Sequence, residues 1–349
     1  TTVTGQLMRE SVGLQECIER VDTDMRTGDF QWTWDDGHRR FAWGLAVGYK
    51  NTGLGGGAPD KATAEVEAWQ DSDRGLVAEV RISSAEMGQG LPGVLAACVA
   101  EELGIATENV GVLLGDTDVC PDGGPTTASR QTFVSGNAAR LAARDVARKL
   151  AATPGESAVA QHEYWAPKTQ PLGTGGDMHD AFSFAAQAAL CAIDKRTGEV
   201  EVQKIIAAHD VGRAINPLTL EGQIEGGIVM CMGYALTEHY IQEDGVPWTN
   251  VMARYKTPSI THAPPITSHI VEHELSTGPF GAKGMGELPS IPTSAAITNA
   301  ICNATGVRVR SLPVDQDALL GAMRGGASEV ELGWGDRAPI PDIDFGEDH

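Results

Sequence analysis

The chain has 349 residues, 42% of them hydrophobic, with 42 glycines and 18 prolines scattered without a period. That excludes collagen-like and low-complexity organisation and describes a globular, loop-rich protein of two domains or one elongated one. Lys plus Arg number 26 against 47 Asp plus Glu, a net charge of −21 that repels phosphate backbones and anionic lipid, so neither nucleic acid nor a membrane surface is an expected partner.

An anionic ligand would have to be drawn instead by aimed backbone N–H groups and helix ends, and glycine-rich turns are the places to look. The cysteines, at positions 17, 98, 120, 191, 231 and 302, form no C-x-x-C pair or close cluster able to hold zinc or iron–sulfur. Cys98, Cys191, Cys231 and Cys302 lie in apolar runs as small buried thiols, which points to a reducing, cytoplasmic setting. The opening residues carry no basic segment followed by an apolar run, and no stretch reaches the ~18 apolar residues of a membrane span, so neither export nor anchoring is expected.

Residues 6–27 place Leu7, Val12, Leu14, Cys17, Ile18 and Val21 at loosely helical spacing and predict a surface helix with a charged back. From Trp43 the pattern changes to period two, and WGLAVGYK, ATAEVEAWQ and GLVAEVRI, the last two around Asp71-Ser72-Asp73-Arg74-Gly75, predict antiparallel hairpin strands that begin one sheet. A helix over VLAACVAEEL, stopped by Gly104, is followed by the strand ENVGVLLGD and then by a long Ala/Leu/Arg helix from Val134. Glycine-bearing loops precede both helices and are candidate ligand cradles.

Residues 154–185 are weakly patterned and predict an irregular connection. A second hairpin turns on Asp194-Lys195-Arg196-Thr197-Gly198. Asn216-Pro217 then starts a helix whose Leu220, Ile224, Ile228, Met232 and Leu236 form one stripe, with Gln223 off it. Glycines between Gly278 and Gly286 make a tight loop before a helix at 294–305, and the last 25 or so residues read as an extended acidic tail.

Taken alone, Glu287 is a loop carboxylate near a helix entrance. Its neighbours Gly286, Leu288 and Pro289 give it little polar company, the kind of surrounding that turns a carboxylate into a general base. Gln89 between Gly88 and Gly90 is either a turn amide or one that reads a polar ligand edge. The run Gly123–Gln131 offers hydroxyls and N–H groups suited to a phosphate or pterin, and equally to ordinary helix capping. The histidines show no metal-ligand spacing, and His209, His269 and His273 read as strand-end or surface residues. Hydrolase elbows, Walker loops and dinucleotide fingerprints are missing from the sequence.

In order along the chain, AEMGQG (85–90), GGPTTASRQTFVSGNAAR (123–140), NPLTLEGQIEGGIVMCMG (216–233) and GPFGAKGMGELPSIPTSAAITNAI (278–301) resemble the molybdenum hydroxylases of the xanthine dehydrogenase/aldehyde oxidoreductase family. The resemblance covers residues 1 to about 323 and corresponds to the C-terminal half of that family's molybdopterin-binding subunit. It implies an α+β fold of elongated mixed lobes: a helical connector over 1–40, lobes over 41–185 and 186–323, and a tail over 324–349.

It further implies molybdopterin, in bacterial members often extended by a cytosine nucleotide, with molybdenum held by the pterin dithiolene and by no protein side chain. The matching positions make Glu287 the catalytic base. They make Gly88, Gln89, Gly90, Thr126, Thr127, Ala128, Ser129, Arg130, Gln131, Gln223, Lys283, Gly284 and Gly286 the cofactor contacts. The implied reaction hydroxylates an electron-poor carbon of an aldehyde or N-heterocycle with water-derived oxygen. The same likeness admits a reductive enzyme of the hydroxybenzoyl-CoA reductase type, and the fold without activity would be an assembly scaffold. Expected partners are the N-terminal half of the subunit, either encoded separately as in nicotinate dehydrogenase-like enzymes or continuous with a chain of which this is a fragment, a 2Fe–2S chain and an FAD chain, with a small-molecule substrate.

Overall fold

In the computed structural model, which describes residues 1–330, the chain runs without helix or strand up to Gly13 and enters α1 (Leu14–Met25) later than the spacing from residue 6 predicts. Gly13 explains the delay. Its N–H donates to Asp210 Oδ2 at 2.8 Å, and a Cβ there would lie 2.7 Å from that carboxylate, so the backbone is tied to a neighbouring strand before the helix begins. Cys17, Val21 and Met25 form the buried stripe of α1.

Next come β1 (Thr33–Asp35), β2 (Arg39–Thr52), β3 (Lys61–Asp71), β4 (Gly75–Ile82), α2 (Leu91–Leu103), β5 (Val110–Leu114), α3 (Gln131–Ala152) and β6 (Ala158–Trp165). The long pair β7 (Ala181–Asp194) and β8 (Val200–Asp210) leads into α4 (Pro217–Leu236), followed by β9 (Gln242–Glu243), β10 (Val246–Pro247), α5 (Met252–Tyr255) and β11 (Ile266–Val271). The described part closes with α6 (Thr293–Thr305), β12 (Arg308–Val309), α7 (Gln316–Gly325) and β13 (Glu329–Val330).

Two main sheets organise these elements. The first runs β5-β4-β3-β6, with α2 and α3 packed on it through Val66, Ala68, Val80, Leu95, Phe133 and Ala142. The second runs β1-β2-β7-β8-β11. Ala186, Ala188, Ile206 and Ala208 of its central strands face α1, while Ala189, Cys191, Ile205 and Ala207 face α4 and α6. Cover on both faces accounts for the nearly unbroken apolar run of β7. Gly44 of β2 permits the close seat of α6, since a Cβ there would meet Ala296 O and Ala300 N at 2.2 Å.

The hairpins at 71–75 and 194–198, the helices α2, α3, α4 and α6, and the left-handed Gly104 cap are found as predicted. Three expectations are corrected. β2 does not join β3 and β4 but pairs with β7 in the other sheet. The connection over 154–185 contains β6, which pairs with β3 and completes the first sheet. Its alternation is hidden because alanines (Ala158, Ala160) point inward while Val159 and Trp165 are exposed. The tail expected from 324 begins with the end of α7 and with β13, parallel to β12; its remainder, 331–349, lies outside the described residues.

Candidate active site

Four loops, each running into a helix, meet at one cavity of about 440 Å³. They are the turn before α2, the loop before α3, the turn before α4 and the glycine loop upstream of α6. Of the residues singled out in the sequence, Gly88, Gln89, Thr126, Thr127, Ser129, Arg130, Gln131, Gln223, Lys283, Gly284, Gly286 and Glu287 line it. Gly90 and Ala128 do not. Gly90 is the left-handed N-cap of α2, 3.2 Å from Thr219 as measured to an added Cβ, and Ala128 accepts at its carbonyl from Gly53 N–H.

The glycine loop is held with little freedom. Gly284 O accepts from Ser183 Oγ (2.7 Å) and Thr52 Oγ1 (3.2 Å), and a Cβ on Gly284 would fall 1.6 Å from Ser129 O. Ala128 and Ser129 both adopt φ near +51°, a left-handed pair that non-glycine residues rarely hold; Gly53 N–H donates to Ala128 O at 3.0 Å and keeps it in place. Ser129 Oγ accepts from the Glu287 N–H at 3.1 Å and lies 3.4 Å from Glu287 Oε2. These contacts bring the second and fourth motifs together.

Glu287 has more polar company than its sequence neighbours suggest. Lys50 Nζ of β2 stands 3.0 Å from Oε2, and the Glu287 side chain remains 51% exposed. Lys50 escaped the sequence reading because nothing in the local pattern of β2 marks it.

The two cations predicted to touch a ligand spend their charge inward. The Arg130 guanidinium, fully buried, donates to Asp60 Oδ1 (2.7 Å), Lys61 O (2.6 Å), Pro125 O (2.8 Å) and Gly123 O (2.9 Å), closing the loop that Thr126 to Ser129 present to the cavity. Lys283 Nζ donates to Asp210 Oδ2 (2.6 Å) and Ser11 O (2.8 Å), also fully buried. Burial depresses the Lys283 ammonium and Asp210 opposes that shift. Gln131 likewise turns inward, donating to Thr126 Oγ1 (2.9 Å) and Pro125 O (3.1 Å) and accepting from Ser84 Oγ (3.0 Å).

In the first motif, Glu86 collects the N–H groups of Gly88 (2.8 Å), Gly90 (3.0 Å) and Leu91 (2.8 Å), which occupies the N-terminus of α2. The Gln89 amide folds onto its own turn, accepting from Met87 N (2.6 Å) and donating to Ala85 O (3.0 Å). The cavity is also lined by the first turn of α3, by Thr127, Ser129 and Gln223, and by the first turn of α4, where Asn216 Oδ1 accepts from Thr219 N–H at 3.3 Å and Thr219 Oγ1 donates to Asn216 O at 3.2 Å. Arg213, Asn216, Thr219 and Met285 are lining residues the motif reading missed. Arg213 approaches Phe280, itself left-handed at φ 52°.

His209 is fully buried, not on the surface, and burial pushes it down to about 3, so it is a neutral imidazole. His269 and His273 pair with Asp24 and Glu16 at 2.7 and 3.0 Å. All six cysteines are free thiols. Among the described residues there is no group of three His, Cys, Asp or Glu placed to hold a metal ion, and no helix long and apolar enough to cross a membrane.

The family model described as molybdopterin cofactor-binding domain matches residues 16–160 and 151–264. Over 285 residues the chain is 34% identical to the 6-hydroxypseudooxynicotine dehydrogenase complex subunit gamma of Paenarthrobacter nicotinovorans, covering 70% of this chain and 36% of that one. It is 30% identical over 311 residues to an aldehyde oxidoreductase molybdenum-binding subunit of Escherichia coli, covering 82% and 41%. The solved aldehyde oxidoreductase of Desulfovibrio gigas superposes with a TM-score of 0.76 at 26% identity, over 93% of this chain and 37% of that one. The chain thus spans well under half the length of these relatives.

Proposed function

Because the chain belongs to the molybdopterin cofactor-binding domain family, with the molybdenum-binding subunits of xanthine dehydrogenases and aldehyde oxidoreductases, we propose that it contributes the base-bearing wall of a molybdenum hydroxylase active site. The observation that carries this reading is the meeting of four sequence-distant motifs at one cavity with Glu287 on its wall. The proposed reaction places water-derived oxygen on an electron-poor carbon of an aldehyde or N-heterocycle.

The cavity suits a pterin-type anion. Its volume lies within the range of cofactor pockets. Gly286 opens onto it with only Ser129 Oγ within 4 Å of an added Cβ, and Gly88, at φ +100°, has nothing within that distance. The first turns of α3 and α4 bring positive dipole ends to it, which offsets the acidity of the chain as a whole. Thr127, Ser129, Asn216, Thr219 and Gln223 would hold the group by hydrogen bonds, leaving the metal to the pterin dithiolene.

When bound, the molybdenum cofactor supplies the oxygen nucleophile and accepts two electrons. The chain's own part is the proton. Glu287 Oε2 is engaged by Lys50 and Ser129, so Oε1 is the oxygen that takes the proton from the nucleophile. Ser129, bonded to both the backbone and the carboxylate of Glu287, fixes the direction from which Oε1 approaches. Electrons then leave through 2Fe–2S and FAD carriers on partner chains, and a further portion of the molybdenum-binding subunit closes the cavity and selects the substrate. Whether the pterin carries a cytosine nucleotide follows from extraction of the bound group. A cytoplasmic location fits the six free thiols.

The test is metal analysis of the native complex that contains this chain, beside a Glu287→Gln variant. One molybdenum per copy, with the variant retaining metal but losing about 10²- to 10⁴-fold in turnover, supports the reading. Absence of molybdenum sinks it, and undiminished turnover in the variant assigns the chain a scaffold role.

A further inference from the structure

Two polar side chains interrupt the apolar face of the second sheet that α4 and α6 cover. Gln187 on β7 and His209 on β8 are both fully buried. The register sets Gln187 opposite Ala207 and Ala185 opposite His209, which makes the two residues diagonal neighbours on one face. An amide and an imidazole among Ala189, Ile205 and Ala207 cost stability unless they are hydrogen-bonded.

Their bonds lead toward the loop that carries Glu287. Gln187 Nε2 donates to Pro289 O at 2.8 Å and lies 3.3 Å from His209 Nε2. The Thr293 hydroxyl, in the first turn of α6, lies 2.5 Å from Gln187 Oε1 and 2.9 Å from Pro289 O. With the Thr293 proton on Oε1, the amide NH₂ faces Pro289 and His209, and the neutral imidazole accepts through Nε2, which leaves its Nδ1–H buried without a hydrogen-bond partner among the described residues. Pro289 is pressed from its other side by α4, where a Cβ on Gly227 would come within 2.8 Å of Pro289 Cβ. Ser290 Oγ donates to Glu287 O at 2.9 Å, so the turn from 287 to 290 moves as a unit with Pro289. The proposed proton transfer uses neither Gln187 nor His209, so their burial calls for another account.

We propose that Gln187, held in one rotamer by His209 and Thr293, is a positioning residue for Glu287: by fixing the Pro289 carbonyl it sets where the 287–290 turn delivers the carboxylate into the cavity. The role of Glu287 as base rests on the function proposed above; the anchoring of its turn does not.

The experiment uses the native complex with Gln187→Met, His209→Leu and Thr293→Val in this chain, followed by amide hydrogen exchange and by steady-state oxidation of an aldehyde or N-heterocycle. Expected for Gln187→Met is about tenfold faster exchange confined to peptides over 286–292, with β7 and β8 unchanged. Turnover falls roughly 10- to 100-fold at unaltered KM and molybdenum content, the size expected for a misplaced catalytic group. The Gln187→Met/His209→Leu double variant is no worse than Gln187→Met alone, because His209 acts through Gln187. Wild-type exchange over 286–292, or acceleration spread evenly through β7 and β8, overturns the proposal. Should Gln187→Met not fold, Thr293→Val shows the same pattern at smaller amplitude, and wild-type exchange there overturns it equally. A native complex without molybdenum would defeat the functional reading while the exchange data still decide the anchoring.

Discussion

Lys50 Nζ and Glu287 Oε2 stand 3.0 Å apart across the boundary between a strand of the second sheet and the glycine loop. Half of the carboxylate surface remains open, so the pair adds little to folding stability, about 0–1 kcal/mol. Its consequence lies in orientation. Lys50→Met should leave the melting temperature and molybdenum content unchanged while lowering kcat/KM by roughly tenfold or more, because Oε2 is released to compete with Oε1 for the proton. Unchanged kinetics would show that Ser129 alone holds the carboxylate.

Gly284 and Gly286 occupy the same loop but have different surroundings, and the contrast is measurable. A methyl at 284 would collide with the backbone carbonyl oxygen of Ser129 at 1.6 Å, whereas at 286 the nearest atom is Ser129 Oγ at 3.9 Å. Gly284→Ala should cost ~1–3 kcal/mol or more in chemical denaturation, since Ser183 and Thr52 prevent the loop from backing away. Gly286→Ala should leave stability within ~0.5 kcal/mol and reduce only the cofactor content, by filling cavity space. Equal stability losses would refute this assignment of the two glycines.

Arg130 illustrates what the motif reading reached and what it missed. The residues of Thr126 to Gln131 fit ligand binding and helix capping equally, and only the family resemblance marks them as a cofactor loop; the structure brings all of them but Ala128 to the cavity, and the sequence could not show that the guanidinium turns inward, because Asp60, its partner, lies 70 residues earlier. Replacing Arg130 by Met leaves Asp60 buried with its charge unpaired, a loss of ~3–5 kcal/mol in unfolding free energy. Denaturant titration measures it, and a loss under ~1 kcal/mol would mean that Arg130 does not clamp the loop.

Local signals made the helices and both hairpins readable: Gly104 in left-handed geometry, Asn216-Pro217 opening α4, and the fourfold stripe through Ile224 and Ile228 are written in neighbouring residues. Relations across long sequence separations were not readable. β6 escaped because its inward residues are alanines under α3 and its large residues face out, an inversion that only tertiary packing explains. The same holds for Glu287, whose Gly, Leu and Pro neighbours suggested isolation while Lys50 and Ser129, both from other elements, supply its polar contacts. Lys283 is placed at the cavity by the family resemblance and does line it; that its ammonium is bonded to Asp210 and Ser11 was not readable, because both partners are distant in sequence.

Burial of His209 predicts a specific acid sensitivity. In the unfolded chain the imidazole takes up a proton as pH falls through about 6.5, whereas in the folded chain it resists protonation down to about 3. Between those values the unfolded state binds more protons, so this residue's contribution to stability is complete above the unfolded value and is lost as pH falls, by up to ~1.4 kcal/mol per pH unit. Carboxylates held low by their partners, such as Asp35 beside Lys195, act in the same direction but only as pH approaches their ordinary range near 4. Over the interval from pH 6.5 to 4.5 the buried histidines set the downward trend, and Asp180, raised by burial, acts in the opposite direction because the folded state holds its proton more readily. His179, depressed by burial and by Lys50, adds a smaller slope because it is only partly buried. Urea unfolding of wild type and His209→Leu across that interval checks the point. The variant should start less stable at pH 7, having left the Gln187 amide short of an acceptor, and should then lose stability more slowly on acidification. Parallel curves would mean that His209 is as protonatable folded as unfolded, and the neutral acceptor assigned to it would have to be abandoned.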